Sequence, residues 1–142
     1  MNSGLLLGWS LHPQLVQDTV PVGDLPLACV LLMNDANYPW LILVPRRPGA
    51  VEIIDLDEAD QALLMSEIAG VARALKAVTR CHKLNIAALG NAVPQLHVHV
   101  VARFRDDPAG ARPIWGAVPA KPYDEGERAR LVVALREAIG LA

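Results

Sequence analysis

The sequence predicts an α+β fold: a mostly antiparallel sheet of about five strands, one long central helix and a C-terminal helix. Three observations predict it. Apolar runs of strand length recur between turn-forming residues; the stretch from Asp57 to Arg80 changes to a helical period; and a second helical pattern closes the chain. A chain of 142 residues is expected to form one domain, spanning 1–142. With 53% hydrophobic and 20% charged residues it lies far from the disordered regime. Aromatic residues are few, so the core is expected to be Leu, Val, Ile and Ala.

Pro13, Pro21, Gly23 and Pro26 punctuate the first thirty residues into short pieces. The run 27–33 then reads as a strand, 34–39 as a turn and 40–44 as a second strand, forming a hairpin ended by Pro45-Arg46-Arg47-Pro48-Gly49. In the helical stretch, Leu64, Ile68, Val71, Leu75 and Val78 line one face. Asp57 and Asp60 lie at its start, and Arg73, Lys76 and Arg80 toward its end, as the helix dipole favours. Two further strands, 84–89 and 95–103, are separated by Gly90-Asn91-Ala92-Val93-Pro94. A loop rich in Asp, Pro and Gly runs from Arg105 to Lys121. Asp124 and Glu127 then form the N-cap and N3 pair of a last helix, with Leu131, Leu135 and Ile139 in register.

The formal net charge of −2 gives no broad attraction to a nucleic acid polymer or an anionic membrane, so phosphate recognition has to be local. Cys29 and Cys81 stand in hydrophobic segments and read as buried, reduced thiols. The Leu5-Leu6-Leu7 run has no basic lead-in and is too short for a signal core or a membrane span, which places the expectation in the cytoplasm.

The chemistry concentrates in Gln95-Leu96-His97-Val98-His99-Val100-Val101. On a strand, Gln95, His97 and His99 share a side, with same-face neighbours roughly 6.5–7 Å apart. Two imidazoles so spaced suit a phosphate group held between them, because histidine can act as nucleophile, acid or base near neutral pH. The same spacing also suits a metal pair, but metal binding requires further ligands, and His12 and His82 lie in no ligand motif.

The segment from Gln95 to Arg103 resembles the signature of the histidine-triad (HIT) family, His-φ-His-φ-His-φ-φ, where φ is apolar. The Asn34-Asp35 hairpin, the helix from Asp57, the strand Leu84-Asn85-Ile86 and the Gly90-Asn91 loop follow in the family's order, so the resemblance covers roughly Leu25 to Arg103. It implies a nucleotide hydrolase or transferase acting at the α-phosphate of a dinucleoside polyphosphate or nucleoside phosphoramidate, through a covalent nucleotidyl-histidine. It implies His97 as nucleophile, His99 as phosphate contact and Gln95 as orienting group. It further implies Asn85 and Asn91 on the phosphate, Asn34 on the ribose hydroxyls, a homodimer, and no metal or other cofactor in the chemistry.

Two positions depart from the family pattern. Gln95 replaces the first histidine; it can hydrogen-bond but cannot change charge with pH. Trp40 stands where many relatives carry a supporting histidine. Arg46, Arg47 and Arg103 are candidates for positive charge near a polyphosphate, or plain strand-end arginines. Trp115 is a candidate to cover a base, reach a partner subunit or anchor its loop. The alternatives to an enzyme are a nucleotide-binding regulatory protein with little turnover, favoured by Gln95 and Trp40, and a small metalloprotein using His97 and His99.

Overall fold

The structure is a computed structural model that describes residues 8–141, and the Leu5-Leu6-Leu7 run lies outside them. It is α+β. A five-stranded antiparallel sheet is built from β1 (Thr19–Asp24), β2 (Ala28–Met33), β3 (Trp40–Pro45), β4 (Lys83–Ala87) and β5 (Val98–Arg103), in the order β1-β2-β3-β5-β4. The helices are α1 (Pro13–Asp18), the long α2 (Glu58–Thr79) and α3 (Glu125–Ile139). Among the described residues, no helix is long and apolar enough to cross a membrane.

Strand alternation divides the sheet into two covered faces. On one, Val30, Leu32, Leu41, Leu43, Val98 and Val100 pack against the α2 stripe Leu64, Ile68, Val71 and Leu75 and against Leu135 of α3. On the other, Leu31, Ile42, Val44 and Val101 meet Trp9, Leu15, Tyr38 and Ile114 from α1 and the loops. Both faces are covered, so β5 is buried at every position although half its residues face away from the main helix. A polar side chain on β5 therefore lies in a dry setting, which matters for the histidines.

The helix ends follow their sequence signals. Asp57 accepts from the amide of Asp60, and α2 ends where Arg80 adopts a left-handed conformation (φ 57°). Asp124 accepts from the amide of Glu127 at the start of α3. β1 and α1 have no counterpart in the sequence reading. β1 is an edge strand whose register shifts between Pro21 and Gly23, so the residues that mask its pattern are those an edge with a bulge tolerates.

The strand expected over 95–103 begins only at Val98. Pro94 has no amide hydrogen to give, and the amide of Leu96 donates to Ala50 O at 3.0 Å instead of to a neighbouring strand. The strand expected over 84–89 likewise ends at Ala87, the partner of His99. Beyond it the chain lifts out of the ladder as the loop toward Gly90.

Candidate active site

His99 lies on β5 and His97 one residue before it, and the topology brings their rings to 4.9 Å between centroids at 69°. His97 Nδ1 lies 2.7 Å from the carbonyl oxygen of Gln95. A carbonyl only accepts, so Nδ1 carries a proton and, in the neutral ring, Nε2 holds the free lone pair. That is the tautomer a nucleophilic imidazole requires.

His99 has two partners. The indole Nε1–H of Trp40 donates to His99 Nδ1 at 3.0 Å, and Nε2 lies 2.7 Å from Leu89 O. An indole only donates and a carbonyl only accepts, so His99 is neutral with its proton on Nε2. Burial holds its pKa down to about 4, against a partly opposing hydrogen bond to Leu89 and with a further lowering by His97. Trp40 sits two residues from Ile42, the register partner of His99, which puts it diagonally across the same face. Trp115 packs edge-on against both His99 (centroids 5.1 Å) and Trp40 (6.2 Å).

The expected phosphate contact at His99 is therefore not what the geometry provides: both ring nitrogens bond within the protein. The Gln95 side chain also differs from expectation. It lies before β5 and turns away from His97: Nε2 donates to Ser10 O (2.8 Å) and Oε1 accepts from His12 N (2.8 Å). The carboxamide pairs with the N-terminal segment as a neighbouring peptide group would, and it is the Gln95 backbone carbonyl that orients His97.

The asparagines open onto different cavities. Asn91 is exposed and shares with His97, Gly90 and Val93 a cavity of about 110 Å³. Asn85 accepts from Arg103 (2.8 Å) and borders a cavity of about 580 Å³, while Asn34 accepts from the amide of Tyr123 (3.1 Å) and borders one of about 430 Å³. Trp115 lines both of the larger cavities. Its loop is held by Arg103, which is bidentate to Asp107 (2.8 and 3.0 Å) and also donates to Gly110 O and Arg112 O. The guanidinium holds the Asp107 carboxyl down to about 2. Arg47 is bidentate to Asp60, and Arg46 is taken up by Leu25 O, Pro26 O and Asp24. The three arginines are thus each engaged with groups of the fold.

Among the described residues, no three His, Cys, Asp or Glu side chains group as a metal site would need. Cys29 and Cys81 are free and buried, and burial pushes the Cys29 thiol up to about 12.

The HIT domain family model matches residues 14–106, from α1 through β5 and both histidines. The chain belongs to the HIT family. A histidine triad protein from Bradyrhizobium japonicum is 60% identical over 92% of this chain and 98% of its own, with a TM-score of 0.91. One from Sinorhizobium meliloti is 44% identical over 92% and 97% (TM-score 0.90), and one from Marinobacter aquaeolei 41% over 94% and 98% (TM-score 0.90). No curated protein matches the chain. Within the HIT framework, the tryptophan pair and the Leu89 carbonyl are the site features that sequence reasoning did not assemble. Trp40 and Trp115 stand far apart in sequence, and a carbonyl leaves no mark in a residue pattern.

Proposed function

We propose that this HIT protein is a nucleotide hydrolase or nucleotidyl transferase acting at the α-phosphate of a dinucleoside polyphosphate or nucleoside phosphoramidate. The observation that carries the reading is the His97–Gln95 carbonyl bond, which puts the proton of the neutral ring on Nδ1 and so turns the Nε2 lone pair to attack on phosphorus. A nucleotidyl-His97 intermediate forms as the leaving group departs, and water then releases the nucleotide. Asn91, beside His97, is the asparagine best placed to meet the phosphate. Asn34 and Asn85 keep their amide nitrogens for ribose and phosphate oxygens respectively.

The test uses diadenosine tetraphosphate and an adenosine phosphoramidate, with and without chelator, on the wild type and His97→Ala. Turnover that survives chelation and is lost in the variant supports the reading. Tight nucleotide binding with no turnover in either protein supports a regulatory nucleotide binder instead, the alternative favoured by the engagement of both His99 nitrogens. Loss of activity on chelation, with release of stoichiometric metal, supports the metalloprotein.

The proposal includes a cytoplasmic homodimer. β4 is an edge strand of the sheet, with Ile86 half exposed, and an open edge of this kind favours pairing with a second copy. A solution mass equal to one chain would remove that part.

A further inference from the structure

One chain of contacts links Trp40 to the nucleophile. Trp40 donates to His99 Nδ1, and His99 Nε2–H donates to Leu89 O. The next residue, Gly90, lies so close to the His97 ring that a Cβ there would stand 2.7 Å from its Cε1. His99 is only 4% exposed and Trp40 9%. Adding a proton to His99 Nδ1 would set two N–H groups against each other in a dry setting, with no acceptor between them. Uncharged groups surround the ring: Trp40 and Ile42 from β3, Trp115 from the loop after β5, and the Leu89 carbonyl. His97 is the titratable group that bears on its charge.

We propose that His99 is a neutral strut, with its tautomer fixed by Trp40, that seats the Leu89–Gly90 loop on His97, and that the site consequently favours phosphoric anhydrides over phosphoramidates. The substrate preference rests on the reading of His97 as nucleophile; the strut does not. In anhydride cleavage, the Nε2 lone pair forms the N–P bond, and the bond from phosphorus to the bridging oxygen breaks. Its electron pair leaves on a phosphate oxygen as a stable anion, so no proton is needed. His97 keeps its Nδ1 proton on the Gln95 carbonyl. Water then attacks phosphorus, the P–N bond returns its pair to Nε2, and one proton passes to solvent. A phosphoramidate has to expel an amine, whose nitrogen requires a proton as the P–N bond breaks. His99 has its single proton engaged with Leu89 O and no second to give.

The strut is tested with no substrate, by imidazole ¹⁵N correlation spectra of the folded protein. His99 is expected to show an unprotonated Nδ1 and a protonated Nε2, unchanged between about pH 5 and 8, the range in which an ordinary histidine titrates. A ring that titrates there, or that carries its proton on Nδ1, overturns the strut. His99→Gln and His99→Ala then separate positioning from proton transfer. Glutamine retains a neutral N–H donor for Leu89 O and no titrating group. Anhydride turnover is expected within about tenfold of wild type in His99→Gln and to fall more than about 100-fold in His99→Ala. Equal losses in the two variants overturn the positioning role. For the substrate preference, the wild type is expected to turn over the anhydride at least about tenfold faster than the phosphoramidate, and a smaller ratio overturns it. If the wild type turns over neither substrate, the enzymatic reading and the preference both fall, while the spectra still decide the strut.

Discussion

Gly90 and His97 are in contact that only a glycine permits: a Cβ on Gly90 would lie 2.7 Å from His97 Cε1 and 2.8 Å from the Val93 carbonyl oxygen. Separations below 3.0 Å force something to move. His97 and the loop preceding it are thus fitted to each other through the absence of a side chain.

Gly90→Ala is therefore expected to shift the His97 ring or open the loop. Because small misplacements at a reacting centre are costly, kcat/KM is expected to drop about 100-fold, with a destabilisation of about 1–3 kcal/mol from the crowding. Steady-state kinetics beside urea unfolding checks both, and wild-type turnover in the alanine variant would remove the fitted-loop account.

Replacing Gln95 tests a different link. Its carboxamide holds Ser10 and His12, while its backbone carbonyl, which any residue supplies, orients His97. Gln95→Ala is expected to cost about 1–2 kcal/mol through the two lost bonds and to speed hydrogen exchange at the His12 amide. Turnover is expected to stay within about tenfold of wild type. A loss beyond about 100-fold in a variant of native stability would show that the carboxamide acts on His97 directly.

Stability is expected to depend on pH through His99. Its folded pKa of about 4 lies below the ordinary 6.5, so between those values the unfolded chain binds a proton that the folded chain does not. The stabilising contribution is full above about pH 6.5 and is lost as pH falls toward 4, with an upper bound on the order of 3 kcal/mol. Denaturant unfolding from pH 7.5 to 4, compared with His99→Gln, isolates the effect. Parallel pH curves for the two proteins would contradict it.

Arg103 is the anchor of the Trp115 loop, with side-chain exposures of 6% and 3% for Arg103 and Asp107. Lysine cannot reproduce the fork that reaches Asp107, Gly110 O, Arg112 O and Asn85 together. Arg103→Lys is expected to destabilise by on the order of 3 kcal/mol and to raise KM more than it lowers kcat, because Trp115 borders the cavities and not the attacking atom. The reverse pattern, kcat lost with KM unchanged, would place Arg103 in the chemistry.

Most of the sheet and both long helices were legible from local signals. Apolar run length marked β2 and β3, the three- and four-residue steps from Leu64 to Leu75 marked the buried face of α2, and Asp57 and Asp124 marked helix starts that the structure confirms. β1 was hidden by Pro21 and Gly23, residues that break a strand pattern but suit a bulged edge. Glu67 was also missed. A carboxylate within an apolar helix face reads as solvent-exposed, yet here it accepts the amides of Leu27 and Ala28 at 2.8 and 2.9 Å, completing hydrogen bonds at the start of β2.

The sequence by itself determined the family and the α+β class, because each is written in residues close together along the chain. Only the tertiary structure decided what the members of the motif bond to. Gln95 faces an N-terminal segment more than eighty residues away, Arg103 turns into its own loop, and His99 is fixed by Trp40 from a neighbouring strand. The physical reason is that a ring's tautomer and a polar group's role are set by the partners that burial brings to them, and those partners come from parts of the chain that no local pattern relates.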